Sequence, residues 1–521
     1  MENLNIKIDA LDTTLRDGAQ CEGVSFSLSD CMSIAKYLDD FGVTYIEAPC
    51  FDKSDLAFFN SGVELKNARL CAFSSTRRKN CDCKSDSSLN NLVAANTDAV
   101  SIVGKTWDFH VKEILQTTLD ENLDMISSSI KYLKSFKKYV IFDAEHFFDA
   151  YINNKLYALK TIEAANSANA DLICLCDTNG GTHPGKIEAI VKEIKGLYPD
   201  KKIGIHCHND SGFAVINTIA AVESGATHIQ GTFNGIGERC GNANLSSIIP
   251  YLQLKRGYDI IENSKMELLK ETAVKISDIS NLSLSPYEPY VGASAFTHKA
   301  GLHADGVLKT AASFEHIEPE LVGNERRFLI SDLSGRNVLA KKIIRYFPYL
   351  KNNVTELERI MSEILEIENF GYLFESAEAS FVLKLKRLLP DYKESFNVIS
   401  FETKTADVPV NVAPSEAKIK IKVNNAAEIF KAQGQGPVDA LNEAFKKALT
   451  KFYPDLHKLT LTDYKVRVLD SNSATKATVR VLITSTDGVN IWTTAGVSAD
   501  IIKASFDALK DSFEYKLLKF L

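Results

Sequence analysis

Eight short β-rich runs recur through the first half of the chain, and their rhythm leaves few folds open: KIDAL (7–11), TYIEAP (44–49), RLCAF (69–73), DAVSIVG (98–104), YVIFDAE (139–145), DLICLCDT (171–178), KIGIHCHN (202–209) and THIQGTF (227–233). Helical patterns lie between most of them, at 30–42, 157–170 and 214–226 for example, each ending near glycine or a polar break. Strand and helix therefore alternate every roughly 25 to 40 residues, the rhythm of repeated βα units around a parallel sheet. An open doubly wound sheet satisfies that alternation as well as a closed barrel does. Eight units within about 240 residues match the usual number and length of the barrel, so an α/β chain built on a TIM (β/α)8 barrel is expected.

Nearly every run ends in a polar or ionisable residue, among them Glu47, Glu145, Asp177, His206, His208 and Asn234. In a barrel of this kind the loops at the carboxyl ends of the strands converge on one mouth, where the active site sits. His206 and His208 alternate along one run, so both imidazoles project to the same side. Asp17 follows the first run in TTLRDGAQ (13–20), and Asn242 follows the eighth in NGIGERCGNANL (234–245). Closure makes the first and eighth strands neighbours. Asp17, His206, His208 and Asn242 then surround a divalent ion with mixed oxygen and nitrogen donors, leaving positions for water or a chelating substrate. Taken singly each has an ordinary alternative: a structural H-x-H, a loop cap at Asp17, a turn residue at Asn242.

Composition excludes other classes. At 521 residues two or three packed units are expected, and 45% hydrophobic with 24% charged residues is ordinary for a fully folded globular chain. The net charge is −7 and the basic residues are dispersed, so no stripe for nucleic acid is present. The start, MENLNIKIDA, is too polar for a secretory signal, and no apolar run approaches the roughly 18 residues of a membrane span; a cytoplasmic location is expected. All ten cysteines fall between Cys21 and Cys240 without a framework of spacings, which reads as free thiols. The CDC triplet at Cys81 to Cys83 lacks a second Cys/His pair at zinc-site spacing.

After about residue 270 the pattern changes to helices and loops, including 355–372, ending at LLPDYKESF (388–396). Alternating strands follow at 417–423, 464–469 and 478–484, with helices at 434–449 and 495–513 that open similarly and suggest a duplicated unit of about 60 residues. The expected division is a catalytic barrel over 1–270, a helical linker or lid over 271–396, and a C-terminal α+β regulatory domain over 397–521.

The segments TTLRDGAQ, DAEHFFDA, LCDTNGGTHP, GIHCHNDSGFAVINT and QGTFNGIGERCGNANLSSIIP resemble, in order and spacing, the metal-dependent family of 2-isopropylmalate, homocitrate and citramalate synthases. The segments GPVDAL (436–441), DYKVRVL (463–469) and NIWTTAGVSADIIKAS (490–505) are similar to that family's regulatory domain. Within the family, AFSSTRRKN (72–80), GKTWDFHV (104–111), DAEHFFDAYINN (143–154) and SAFTHKAGLHADG (294–306) look most like the citramalate branch. The resemblance implies Claisen-type condensation of acetyl-CoA with pyruvate, followed by thioester hydrolysis, in a route to isoleucine. It also implies a homodimer, with isoleucine as the allosteric inhibitor.

By the same resemblance Asp17, His206, His208 and Asn242 match metal ligands, for zinc, manganese, magnesium or cobalt. Arg16, Glu145 and His303 match catalytic positions; Arg16, Asp17, Thr178, His206 and His208 match substrate contacts. Arg16, always charged, suits negative charge developing on the substrate, and a salt bridge to Glu145 or Asp17 is compatible with that. Thr178 offers a hydroxyl to the pyruvate carboxylate, or a cap. His303 or a water held by Glu145 is the base for the acetyl methyl; for His303, which lies beyond the barrel runs, a lid from this chain or a partner subunit must fold over the mouth. Arg77, Arg78, Lys79 and Lys105 follow the third and fourth runs, and Arg78 and Lys105 are candidates for CoA phosphates. The chain departs from the family at Phe314, where a tyrosine is expected, and at EAPCFDKSDL (47–56), where a Gly/Trp/Pro-rich loop is expected. Three other readings stay open: another 2-oxo acid as acceptor, an acyl-CoA lyase, and a catalytically silent amino-acid-binding regulator.

Overall fold

The computed structural model describes residues 6–298, 301–328, 336–374, 376–406, 414–423, 426–469 and 477–518. It divides into two compact units: the first holds Met1–Phe296 and Ile317–Arg326, the second Thr297–His316 and Arg327–Leu521. Among the described residues no helix is long and apolar enough to cross a membrane.

The first unit is a closed barrel of eight parallel strands in sequence order: β1 (Asp9–Asp12), β2 (Tyr45–Pro49), β3 (Arg69–Ser75), β4 (Ala99–Lys105), β5 (Tyr139–Glu145), β6 (Leu172–Asp177), β7 (Lys202–Cys207) and β8 (His228–Gly231). Each lies within one of the runs read from the sequence or extends it by at most two residues. Closure is made by β8 against β1, with Asp9 opposite His228 and Asp12 opposite Gly231. Alternation divides the apolar residues between two cores. Leu11, Tyr45, Cys71, Ala99, Ile141 and Leu172 fill one cluster, while Ile46, Val100, Val140, Ile173, Ile203 and Ile229 join the larger cluster shared with the surrounding helices.

The helices obey local rules. Leu28–Phe41 opens on a reciprocal capping box between Ser27 and Asp30 and stops at Gly42, whose φ of 98° is left-handed. The helix expected over 157–170 starts earlier, at Phe147, and contains a non-helical residue, Asn154. At Gly231 an added Cβ would stand 2.3 Å from the Ala243 carbonyl oxygen, so glycine alone lets the segment after β8 return against its own strand.

In the second unit the helix Val354–Asn369 buries Leu357, Ile360, Met361 and Ile364 at helical spacing. Two repeats follow, each of three antiparallel strands and a helix: Asn397–Thr405, Ser415–Val423, Ala426–Gly434 and Pro437–Thr450, then Thr460–Val468, Val479–Thr486, Ile491–Ser498 and Ile501–Leu517. Residues 495–498, read from sequence as the start of the last helix, belong instead to its preceding strand. The strands at 397–405 and 426–434 carry few fully buried residues, which is why hydrophobic alternation missed them.

His228, at the start of β8, is fully buried, its ring 6.2 Å from that of Tyr45 and both its nitrogens without a hydrogen-bond partner. Burial pushes this imidazole down from 6.5 to about 4. The unfolded chain thus takes up a proton near pH 6.5 that the folded chain refuses until near pH 4. Stability is unaffected above that window and falls on acidification through it, by on the order of 3 kcal/mol. Urea midpoints measured from pH 7 down to pH 4 are expected to fall less steeply in His228→Phe than in the parent.

Candidate functional site

The turn after β1 brings Asp17 to the barrel mouth. The Thr13 amide donates to the Gly231 carbonyl at 2.8 Å, and the amides of Arg16, Asp17 and Gly18 all point back to the Thr13 carbonyl. His206 stands near the end of β7, and His208 forms an isolated antiparallel bridge with Asn242. A carboxylate oxygen of Asp17 and one nitrogen from each of His206 and His208 lie within 4.8 Å of one another, all three residues being buried. The Asn242 amide nitrogen donates to the Ile236 carbonyl at 3.3 Å. Asp17 Oδ2, His208 Nδ1 and Asn242 Oδ1 are buried without a hydrogen-bond partner. Unpaired polar atoms of this kind are costly unless something answers them, and a divalent cation suits this donor set.

A buried polar chain stands behind His206. Its Nδ1 meets Gln230 Oε1 at 3.1 Å, the Gln230 amide donates to Asp143 Oδ1 at 2.9 Å, and Ser101 Oγ donates to Asp143 Oδ2 at 2.6 Å. With Nδ1 carrying the proton toward Gln230, His206 Nε2 is left with its lone pair facing Asp17, 3.5 Å away. Burial holds His208 down to about 4 and lowers His206 too, so both rings are neutral. For Asp17 burial raises the carboxyl, but the charge of Arg16 beside it leads the interactions that outweigh burial and hold the group below its ordinary value.

Arg16 lies 3.9 Å from the Phe73 ring centroid, donates through Nε to Glu47 at 2.6 Å and pairs through Nη1 with Asp17. Glu145, the other partner considered from sequence, pairs instead with Lys105. Glu47 is fully buried, and burial raises its carboxyl against the pull of Arg16. Thr178 Oγ1 accepts from the His146 amide at 2.9 Å. Together Arg16, Asp17, Glu145, Thr178, His206 and His208 line a cavity of about 270 Å³.

His303 belongs to the second unit, is exposed, and stacks on Phe314 with ring centroids 4.2 Å apart. Arg78 is exposed and held by Asp86 at 3.2 Å, Arg77 is committed to Glu121 and Asp124, and Lys79 donates to the Leu115 and Gln116 carbonyls. Gln230, Asp143 and Ser101 were not singled out from sequence, nor was Arg239, which grips Asp210 and donates to the Thr178 carbonyl at 2.8 Å. Interior position on alternate strand residues was the signal available for the first three.

Removing Arg16 leaves the buried Asp17 and Glu47 carboxyl groups without the cation that both of them pair with. Arg16→Met is expected to destabilise the protein by about 3 to 5 kcal/mol and Glu47→Gln by much less, read from urea unfolding midpoints.

Residues 7–282 match the HMGL-like family model, 290–369 the homocitrate synthase post-HMGL domain-like model, and 376–517 the LeuA allosteric (dimerisation) domain. The chain is 48% identical to a protein of Aquifex aeolicus named (R)-citramalate synthase, over 98% of each chain. Relatives of the same name from Geobacter sulfurreducens (46%, covering 98% of this chain and 97% of the relative) and Synechocystis (45%, covering 97% and 95%) align as fully. With a family model covering more than half its length and full-length relatives well above 40% identity, this chain belongs to the HMGL-like family, among the proteins named (R)-citramalate synthase.

Proposed function

We infer that the protein condenses acetyl-CoA with pyruvate and hydrolyses the resulting thioester, giving (R)-citramalate and CoA. The observation carrying this reading is end-to-end identity of 40 to 48% with five relatives bearing that name. It is supported by the buried Asp17, His206 and His208 donors at the mouth. Asp17, His206, His208 and Asn242 are the proposed holders of a divalent ion, which when bound supplies a Lewis acid for the ketone of a 2-oxo acid.

The chain's own groups have definite tasks in this reading. Arg16, fixed between Glu47 and Asp17, offers a permanent positive charge where negative charge develops on the substrate. Thr178 is proposed to present its hydroxyl to the pyruvate carboxylate at the cavity wall, with its backbone carbonyl held by Arg239, which lines the same cavity. Glu145, paired with Lys105, is proposed to hold a water, and His303 is proposed as the base for the acetyl methyl, from this chain or a partner subunit. Arg78 and Lys105 are proposed for CoA phosphates, although Asp86 and Glu145 already engage them. The LeuA match supports a homodimer; the C-terminal unit is proposed to take isoleucine as inhibitor, in a cytoplasmic route to that amino acid.

Purified protein supplied with acetyl-CoA and pyruvate, 2-oxoisovalerate or 2-oxoglutarate in turn is expected to release CoA only with pyruvate. Turnover with another acid and none with pyruvate overturns the reading. Chelation is expected to abolish turnover, and manganese, zinc, magnesium or cobalt added singly identifies the ion. Gln230→Leu, which strips His206 of its orienting partner, is expected to weaken metal affinity by about 10- to 100-fold in calorimetric titration.

A further inference from the structure

The interior of the barrel holds a second cluster of ligating side chains. Asp143 on β5 and Cys174 and Cys176 on β6 each present one ligand atom, and the three atoms lie within 4.8 Å of one another. The two thiols sit two residues apart on one strand, so both face the same side, and they interact with each other directly. Asp143 is held from behind by Ser101 and Gln230, one on each oxygen, and each oxygen keeps a further lone pair. Asp143 and Cys176 line the cavity wall, so a small cation entering the mouth reaches them, with Cys174 fully buried beside them.

We propose that Asp143, Cys174 and Cys176 form an inhibitory site for a thiophilic divalent cation of the zinc and cadmium class. Two sulfurs and one carboxylate oxygen favour soft ions over magnesium or manganese, whereas the Asp17, His206, His208 set carries no sulfur. Binding requires each thiol to release its proton to solvent, with no change in oxidation state. Because each thiol must lose its proton to ligate, the ion competes with two protons and occupancy grows with pH. The site is coupled to the first one by a short path. An ion on Asp143 withdraws electron density from the carboxylate that accepts from Gln230 and so weakens that hydrogen bond, and Gln230 is the group that orients His206. Zinc is then expected to support turnover at low concentration and suppress it in excess.

The test is titration of the full chain with cadmium chloride in saturating manganese, following the thiolate-to-cadmium charge-transfer absorption and citramalate formation in parallel. The absorption reports sulfur ligation whether or not the condensation reading holds. A band of one cadmium per chain and a matching loss of turnover are expected in the parent and in Cys81→Ala, which removes a half-buried thiol of the CDC triplet. Both are expected to vanish in Cys176→Ser and Cys174→Ser. If circular dichroism shows either serine variant unfolded, Asp143→Asn decides instead, since it keeps both thiols and is expected to weaken cadmium binding by at least about tenfold. An undiminished band in the variants, its loss in Cys81→Ala, or inhibition relieved in proportion to added manganese overturns the proposal.

Discussion

Closure of β8 onto β1 is the constraint on which the rest of the first unit depends. The pairing of Asp12 with Gly231, and the hydrogen bond from Thr13 to the Gly231 carbonyl, fix the turn that carries Arg16 and Asp17 beside the end of β7. Without that seam an aspartate near the start of the chain and histidines some 190 residues later have no reason to meet, because a loop of that length leaves them far apart on average. The seam also explains the glycine at 231. A side chain there would collide with the Ala243 carbonyl and hold off the segment that delivers Asn242.

The polar interior of the barrel is a second constraint. Ser101, Asp143, Gln230 and His206 come from four strands and are all buried, and they hydrogen-bond in series. Buried groups of this type rigidify a site when satisfied and destabilise it when not, so the chain both locates the imidazole and makes the barrel interior intolerant of isolated substitutions. Arg16 has a comparable double character. It sits against Phe73 and between two carboxylates, and its charge is what allows Glu47 to be buried there.

Much of this was legible in the sequence, for identifiable reasons. All eight strands announced themselves because short β-rich runs alternated with helical patterns every roughly 25 to 40 residues. Asp17, His206 and His208 converge as strand order and closure required, and Asn242 bridges His208. Partners of Arg16 were only half legible: Asp17 is adjacent in sequence, but Glu47 becomes a neighbour through side-chain direction, which no spacing rule supplies. Gln230 and Asp143 look like ordinary strand residues until closure of the barrel brings their side chains together across its interior. In the second unit, the strands at 397–405 and 426–434 escaped notice because their side chains are mostly exposed or half-buried, leaving weak alternation.

One feature of the chain path limits how the molecule can be dissected. The polypeptide leaves the first unit after Phe296, returns for Ile317–Arg326, and leaves again. The returning stretch is anchored: the Asn324 side chain donates to the Tyr290 and Gly292 carbonyls and accepts from Lys270. A gene truncated at residue 296 would therefore encode a barrel lacking one of its own buttresses, without the buried Val322 and with the Tyr290 and Gly292 carbonyls deprived of the Asn324 amide that normally satisfies them. Any minimal version of the first unit must carry the intervening excursion with it, or replace it with a linker long enough to let the buttress dock.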